Sequence, residues 1–434
     1  MHANPVSMDQ SVTQWLDNHN DELIELAVTL IKEPSFTGRE GAIARNLAKW
    51  LESAGLEPEL SVVTEAVRDS RPDFRDELDL SDRPNLYGWL RSNKKKSDNP
   101  LVLNGHLDVV PVGTVSGWRF PPFSAERAEG AIWGRGAADM KGPVAAGLMA
   151  LRALKQCSAP LPFDVQIQLV IAEESGGLGT VFAIEEQPRP QAVIVMEPSE
   201  CRIIAASGGS VQFTVKAQGK AAHGSTPWMG ASALEALLAC HARIERYARL
   251  RNERLSHPLL SGLKQCVPLN VGTFSAGEWR ATVPESGHFS GRIGLLPGER
   301  LDEVRADLER EVEATAVGLG EKAAKLSISY PNAGFPAWET TVSSRLISSM
   351  KSAAAAVQMD PDPAGVTYGC DAGHFSRAGI PVAVFGPGGI DVAHMVDEHI
   401  SEKSLLDAAK VLALSILHYG EGGASGQSEP HNAN

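Results

Sequence analysis

The sequence lacks the features that mark secreted, membrane-bound and disulfide-stabilised proteins. Its five cysteines are odd in number and no two have CxxC spacing, which argues against a disulfide framework or a cysteine zinc site. It has no apolar run of about 18 residues, the length that a transmembrane helix requires, and residues 1–20 do not have the pattern of a signal peptide. We therefore expect a cytoplasmic protein.

Positive charge is also scarce. The chain of 434 residues has 40 Lys and Arg against 53 Asp and Glu, a net charge of −13 at pH 7. Nucleic acids and anionic membranes are bound by basic surfaces, so we expect neither as a partner. The hydrophobic content of 43% is typical of a globular protein, and the length predicts at least two domains.

Short apolar runs alternate with helical patterns over much of the chain. The runs lie at residues 101–103, 165–172, 192–196 and 381–385. Continuous apolar runs of this length between helices are typical of strands that are buried on both faces. The sequence therefore predicts an α/β fold with a mainly parallel central sheet flanked by helices.

The middle of the chain follows a different pattern. Residues 211–215 alternate between apolar and polar, as a half-exposed strand does. A long helix, two strands, a second helix and a last strand follow, which is the order of a small two-layer α+β domain. We expect residues 208–332 to form this domain as an insertion into a domain made of residues 1–207 and 333–434.

Polar side chains interrupt the chain where the four apolar runs end. These side chains belong to His106, Glu173, Glu174, Glu197 and His394. In an open parallel sheet, ligands gather at the carboxyl ends of the strands. The sequence therefore predicts that imidazoles and carboxylates from four separate strands meet at one edge of the sheet.

One more acid, Asp139, directly precedes the helical pattern of residues 140–154, where the helix dipole favours a carboxylate. Singly, each of these residues fits a structural role. Together, two histidines and several carboxylates would repel and desolvate one another unless a cation neutralised them. Imidazole and carboxylate ligands without thiolates suit Zn²⁺, and also Mn²⁺ or Co²⁺.

The number of candidate ligands indicates two metal ions. A single catalytic zinc takes three protein ligands and keeps an open position, and five candidates exceed that number. They fit two ions if Asp139 bridges them. Glu173 is then left as a general base for the attacking water. Asp108, two residues from His106, suits a carboxylate that holds the imidazole tautomer.

Three motifs carry a resemblance to a known family. They are His106–Pro111 (HLDVVP), Gly134–Gly142 (GRGAADMKG) and the Glu173-Glu174 pair. They resemble the dinuclear zinc amidohydrolases and peptidases that include acetylornithine deacetylase, succinyl-diaminopimelate desuccinylase, aminoacylase and carboxypeptidase G. The resemblance extends from the first helix to about residue 418.

The resemblance implies a division of the ligands between the two metals. It implies His106 and Glu197 on one metal, Glu174 and His394 on the other, Asp139 as the bridge and Glu173 as the base. The resemblance also concerns the residue type at position 197. Deacylases and carboxypeptidases of the family tend to have Glu there, as this chain does, whereas the aminopeptidases usually have Asp.

The resemblance also implies roles in and around the inserted segment. That segment resembles a lid domain through which family members dimerise. His223 matches a lid histidine that reaches the partner subunit's active site and stabilises the oxyanion. Asn270 and Arg292 match positions that bind a substrate carboxylate, for which the planar fork of arginine is suited. The backbone of Gly386 and Gly388 is expected to line the same pocket.

One segment, residues 368–374, departs from the family pattern and leaves the substrate open. Cys370 stands where family members have a hydroxyl, and Asp371 and His374 are candidate substrate contacts. We expect a hydrolase that cleaves the amide C–N bond of a small N-acyl amino acid, as acetylornithine deacetylase does. The alternatives are a dipeptidase or carboxypeptidase, and hydrolysis of another C–N bond, such as that of an aryl amine or a formamide.

Overall fold

A computed structural model describes residues 6–70, 79–92, 97–320 and 323–421. The helices are α1 (Met8–Asn18), α2 (Asn20–Lys32), α3 (Gly41–Ser53), α4 (Glu65–Ser70), α5 (Gly142–Gln156), α6 (Leu178–Glu186), α7 (Ala233–Arg254), α8 (Leu301–Leu319), α9 (Arg345–Ala356), α10 (Ala372–Arg377) and α11 (Glu402–Glu421). The strands are β1 (Glu57–Val62), β2 (Pro84–Leu90), β3 (Ser97–His106), β4 (Glu126–Ala128), β5 (Ala131–Trp133), β6 (Phe163–Val170), β7 (Ala192–Val195), β8 (Ile204–Ser207), β9 (Gly209–Gln218), β10 (Leu269–Ala276), β11 (Ser286–Leu295), β12 (Lys325–Ser329), β13 (Trp338–Glu339), β14 (Ala364–Val366), β15 (Val382–Val384) and β16 (His399–Ser401).

The four apolar runs form adjacent strands of a nine-stranded sheet. Its order is β1-β2-β6-β3-β7-β15-β8-β13, and β14 pairs with β8. The strands β6, β3, β7 and β15 are parallel to their neighbours within this group, whereas β1, β2 and β13 pair antiparallel at the two sides. The predicted α/β fold with a mainly parallel central sheet is confirmed.

Burial of both sheet faces explains why these runs are largely apolar, with Gln166 and Gln168 of β6 as buried polar exceptions that hydrogen-bond to each other. Leu101 and Leu103 of β3 pack in the core that includes α2, α5 and α11. Val102 points to the opposite side and packs with Val193 and Val382 in the core that includes α10. Successive side chains of a strand point to opposite faces, so both positions are mostly apolar when helices cover both faces.

The predicted inserted segment forms its own antiparallel sheet. Its four strands lie in the order β10-β11-β9-β12. In β9, Val211, Phe213 and Val215 are buried against α7 and α8, while the alternate side chains face outwards. The chain leaves the central sheet after β8 and enters this second sheet at β9, with Gly208 between them. The boundaries at residues 208 and 332 stay a prediction.

One local expectation differs from the structure. Asp139 does not begin a helix: it lies in an irregular turn at Ala137–Lys141 with φ −124° and ψ 93°, and α5 begins at Gly142. Within the described residues, no helix combines the length and the apolar character that are needed to cross a bilayer.

Candidate metal centre

The central sheet brings the predicted ligands to one edge because its strands end there. His106 is the last residue of β3, Glu173 and Glu174 follow the end of β6, and Glu197 follows the end of β7. His394 lies in the loop after β15 with a left-handed backbone conformation (φ 62°). The side chains that were predicted from separate strands therefore converge.

Asp139 lies between the two histidines. One of its carboxylate oxygens is 3.0 Å from His106 Nε2, and the other is 3.2 Å from His394 Nε2. Each histidine also has its own glutamate: Glu197 Oε1 is 3.9 Å from His106 Nε2, and a Glu174 oxygen is 3.1 Å from His394 Nε2. The cluster thus has two halves that share Asp139.

The acidic members of the cluster are almost completely withdrawn from water. Glu173, Glu197 and Asp139 are buried, and His394 alone has about half of its side chain exposed (50%). Burial and the negative charge of Glu197 raise the pKa of Glu173 well above its ordinary value. Burial and the negative charge of Asp139 do the same to the pKa of Glu197. Ionised carboxylates so close together require a compensating positive charge.

The histidines respond to the same concentration of negative charge. Burial lowers the pKa of His394, but its hydrogen bonds with Asp139 and Glu174 dominate and raise it to about 11. For Asp139, burial works against ionisation, and hydrogen bonds from His106 and His394 nevertheless lower its pKa. A pair of divalent cations would supply the compensating positive charge, and the imidazole and carboxylate donors suit such ions.

A match between this chain and a protein-family model identifies the family of enzymes to which it belongs. The model of peptidase family M20/M25/M40 matches residues 102–418, a range that contains every predicted metal ligand. The chain belongs to peptidase family M20/M25/M40. The predicted resemblance is therefore confirmed, and so is the class of enzyme: a metal-dependent hydrolase of amide C–N bonds.

Relatives of this M20 enzyme act on different amides. The chain is 27% identical over 440 residues to the N-formyl-4-amino-5-aminomethyl-2-methylpyrimidine deformylase of Bacillus subtilis, covering 95% of this chain and 98% of the relative. It is 26% identical to a probable carboxypeptidase of Ajellomyces dermatitidis, covering 94% and 88% of the two chains.

Solved structures share the fold of this M20 enzyme. Human carnosine dipeptidase 1 superposes with a TM-score of 0.74 at 18% identity, covering 95% of this chain and all (100%) of that one. The Bacillus subtilis YXEP protein, described as a dinuclear metal-binding peptidase of family M20, superposes with a TM-score of 0.63 at 16% identity, covering 93% and 99%.

Asp108 has a different contact from the one predicted. His106 Nδ1 donates to the backbone carbonyl of Asp108 at 2.9 Å, while the nearer carboxylate oxygen is 3.6 Å away. The carbonyl therefore holds the imidazole tautomer and leaves Nε2 facing Asp139. The Asp108 carboxylate instead accepts from the backbone N–H groups of Glu173 and Glu174, at 3.1 and 3.2 Å, and so supports the turn that bears both glutamates.

Asp371 and His374 support the far side of the same turn in this M20 enzyme. Both are buried. Asp371 accepts from Thr180 Oγ1 at 2.7 Å, and His374 Nε2 donates to the carbonyl of Gly176 at 3.0 Å. A Cβ at Gly177 would lie 2.4 Å from Asp371 Oδ1. The contacts that the structure gives them are with the protein, and their predicted contact with substrate stays a prediction.

The predicted lid residues have their contacts outside the cluster. His223 is exposed, and its Nδ1 is 2.7 Å from Ser225 Oγ; within the described residues, no hydrogen bond or ion pair joins it to the metal ligands. Asn270 and Arg292 are paired across β10 and β11. Arg292 Nη2 donates to the carbonyl of Thr367 at 3.3 Å, which connects β11 to the residue that precedes the segment 368–374.

The predicted glycines pack beside ligand-bearing segments. A Cβ at Gly386 would lie 2.6 Å from the carbonyl oxygen of Glu197, and one at Gly388 would lie 3.0 Å from Ala138 Cβ. Gly388 also has φ +84°, a conformation that favours glycine. Both glycines therefore allow the loop that leads to His394 to approach the other ligands.

Sequence reasoning missed two groups that contact this region. Thr37 Oγ1 donates to Asp108 Oδ2 at 2.9 Å. Glu398, fully buried, accepts from the backbone N–H of Asp139 at 3.1 Å. The only signal for Glu398 was its position four residues after His394, and an acid in a polar loop does not by itself predict burial.

Proposed function

We propose that this chain binds two divalent metal ions, with zinc favoured and cobalt or manganese compatible, and that Asp139 bridges them. The observation that carries the proposal is that the two oxygens of Asp139 approach different histidines, each of which is paired with its own glutamate. Bound at this position, the ions supply Lewis-acid activation of a water and of the substrate carbonyl. The proposed ligand sets are His106 with Glu197, and His394 with Glu174.

Glu173 is the proposed general base. It is buried, it lies beside His106 and Glu197, and it is left over when the metal ligands are assigned. Its carboxylate takes a proton from the attacking water and returns it to the leaving nitrogen of the amide. His223 of a second subunit is proposed to donate a hydrogen bond to the oxyanion when the lid closes.

The proposed substrate is a small N-acyl amino acid whose carboxylate is bound by the lid. Arg292 and Asn270 support this substrate because they are cross-strand partners on β11 and β10, and arginine pairs bidentately with a carboxylate. Asp371, His374 and the backbone of Gly386 and Gly388 are proposed to complete the pocket. Deacylation of such a substrate is the main proposed activity.

Two further activities are favoured by relatives. Hydrolysis of a formamide is the second candidate, because a relative matched over 98% of its length is a deformylase that acts on an N-formyl aminopyrimidine. Peptide hydrolysis is the third candidate, because another relative is a probable carboxypeptidase. All three activities use the same metals and the same base.

The enzyme is proposed to be a cytoplasmic homodimer that associates through the lid. Support for association comes from β10, an edge strand of the lid sheet with Phe274 exposed, and from Leu234 and Leu238, exposed on α7. An unpaired edge strand with apolar neighbours is a surface suited to pairing with a second copy. Support for a reducing compartment comes from the cysteines, all five of which are unpaired.

A substrate panel tests the proposed activity. We would compare kcat/KM for N-acetylornithine, a set of dipeptides and an aryl formamide that lacks a carboxylate, using the zinc-loaded enzyme. The Arg292→Ala variant is expected to lose activity on the acyl amino acid and not on the formamide. Arg300→Ala, which changes an exposed arginine paired with Asp302, is the matched control.

The outcomes separate the candidates. Preferred turnover of the formamide, with no effect of Arg292→Ala, would replace deacylation of amino acids by the second candidate. Preferred turnover of dipeptides would favour the third. Absence of turnover on every member of the panel, with two metals bound, would contradict the proposed substrate class.

A further inference from the structure

Glu398 is a carboxylate buried outside the proposed ligand set. Its side chain has no exposure to solvent (0%). It follows His394 by four residues and directly precedes β16, which pairs with β5. Its own carbonyl accepts from the backbone N–H of Gly134 at 2.8 Å. Glu398 is therefore fixed between the segment that carries His394 and the segment that carries Asp139.

Three donors surround the Glu398 carboxylate. Its Oε1 accepts from the backbone N–H of Ala138 at 2.9 Å and from that of Asp139 at 3.1 Å. Its Oε2 accepts from Arg135 Nη1 at 2.5 Å, and the Arg135 side chain is itself buried (2% exposed). Arg135 Nη2 also donates to the carbonyl of Pro111 at 3.2 Å. The carboxylate thus holds the irregular turn of Asp139 by its backbone.

The chemistry of these contacts requires a carboxylate. Two backbone N–H groups and one guanidinium all donate to it, and only a group with two acceptor oxygens satisfies donors on both sides. A buried carboxylate is costly unless it is hydrogen-bonded and paired with an opposite charge. Glu398 has hydrogen bonds from two backbone N–H groups and a charge partner in Arg135, and these contacts together offset the cost of its burial.

We propose that Glu398, paired with Arg135, is a positioning residue that fixes Asp139 between His106 and His394. The inference rests on the proposed metal centre, because the orientation of Asp139 matters most if its two oxygens serve two ions. It acts through the backbone of Asp139, so it orients a ligand without touching a metal or the substrate. Residues that orient metal ligands typically change metal affinity about 10- to 100-fold when they are removed.

The Glu398→Gln variant tests the proposal with minimal change of shape. Glutamine has one acceptor oxygen and one NH₂ group. If the oxygen faces the N–H groups of Ala138 and Asp139, then the NH₂ group faces the donor of Arg135. In either orientation the NH₂ group faces another donor with no acceptor between them. The buried Arg135 also loses its counter-charge. The turn must then shift, and Asp139 shifts with it.

The matched control is Glu402→Gln. Glu402 also pairs with an arginine, since Arg127 Nε is 2.7 Å from Glu402 Oε1. It lies four residues after Glu398, but this pair is partly exposed and touches none of the proposed ligands. Glu398→Asp, which keeps the charge on a shorter side chain, is the conservative variant and carries the same comparison if the glutamine variant does not fold.

The measurement is metal affinity of the full-length chain. Each protein is stripped with a chelator and titrated with Co²⁺, followed by its visible absorption, and with Zn²⁺ in competition with a chromophoric chelator. We expect Glu398→Gln to weaken at least one of the two sites about 10- to 100-fold, Glu398→Asp to be intermediate, and Glu402→Gln to match the wild type. Saturating metal should restore much of kcat in Glu398→Gln with KM unchanged.

The opposing results are distinct from one another. If Glu398→Gln binds both ions as tightly as the wild type, the proposal is overturned, even if thermal unfolding of the metal-free variant occurs at a lower temperature, because that shift reports a purely structural role. If the wild type itself binds no pair of ions, the proposed function fails, and this inference fails with it.

Discussion

The environment of each side chain decides its chemistry at this site. Glu173 and Glu174 are adjacent in sequence, yet only Glu174 approaches a histidine closely, at 3.1 Å from His394. Glu173 is buried beside Glu197, and burial together with that charge raises its pKa. A carboxylate that is withdrawn from water beside the proposed ligands is placed to accept a proton from the attacking water and to return it.

Replacing the proposed base should separate catalysis from metal binding. We expect Glu173→Ala to retain two metals and to reduce kcat by about 10²–10⁴-fold, because proton transfer from the water loses its acceptor. Metal content by elemental analysis and kcat on the best panel substrate are the two measurements. Glu278→Ala, at an exposed position of the lid, is the control. Loss of metal, or near-normal turnover, would show that another group is the base.

Two residues with the spacing of a helix capping box make different contacts in the structure. Thr37 and Glu40 have the spacing of a helix capping box. In the structure, Thr37 donates to Asp108, and Glu40 forms a buried pair with Arg83 at 2.7 Å. Local spacing cannot distinguish these outcomes, because the competing partners are distant in sequence.

At the scale of elements, the turns between strands and helices hold the site in place. The turn after β6 is supported from one side by Asp108 and from the other by Asp371 and His374. The inserted segment is different, because its His223 is exposed and the imidazole contacts Ser225, which is two residues away in the chain. A histidine placed in this way can reach an active site only if elements move or a second subunit supplies it.

The lid histidine gives a prediction about two subunits. We expect His223→Ala to lower kcat without changing metal content, because a donor to the oxyanion is lost. Co-expression with Glu173→Ala should restore part of the activity, since a mixed dimer has one site with both groups intact. His288→Ala, exposed on β11, is the control. Activity of the mixture no greater than the sum of the two variants would exclude action across subunits.

For the whole molecule, the buried charge of the cluster couples metal binding to stability. Four carboxylates and two imidazoles from separate parts of the chain meet there, and without cations their mutual repulsion opposes folding. Ions that bind the folded chain and not the unfolded chain add to the free energy of unfolding in proportion to the logarithm of their concentration.

Chelation should therefore affect activity and stability together. We expect removal of the metals to abolish turnover and to lower Tm, and Zn²⁺, Co²⁺ or Mn²⁺ to restore both. At a free metal concentration about 1,000 times Kd, the restored stability is about 4 kcal/mol. Mg²⁺ at the same concentration is the control, because it has little preference for the imidazole ligand that each half of the cluster contains. Full activity after stringent chelation, confirmed by elemental analysis, would contradict the metal-dependent mechanism.

The sequence by itself determined the features that depend on local pattern. The largely apolar runs identified β3, β6, β7 and β15, because strands covered on both faces bury most of their side chains. The placement of polar residues after these runs identified the candidate ligands, because strand ends of a parallel sheet share one edge. The motif around Asp139 was also readable, although its backbone is not helical.

Only the tertiary structure decided how distant groups meet. It showed that the carbonyl of Asp108, rather than its carboxylate, receives the His106 proton, and that Glu398 is buried beneath Asp139. It also placed Asp371 and His374 behind the glutamate turn. Most of these contacts join residues that are far apart in the chain. The burial of Glu398 is also the opposite of what is expected for an acid in a polar loop. Hydrophobic periodicity contains no information about which hydrogen-bonding groups will face one another after folding.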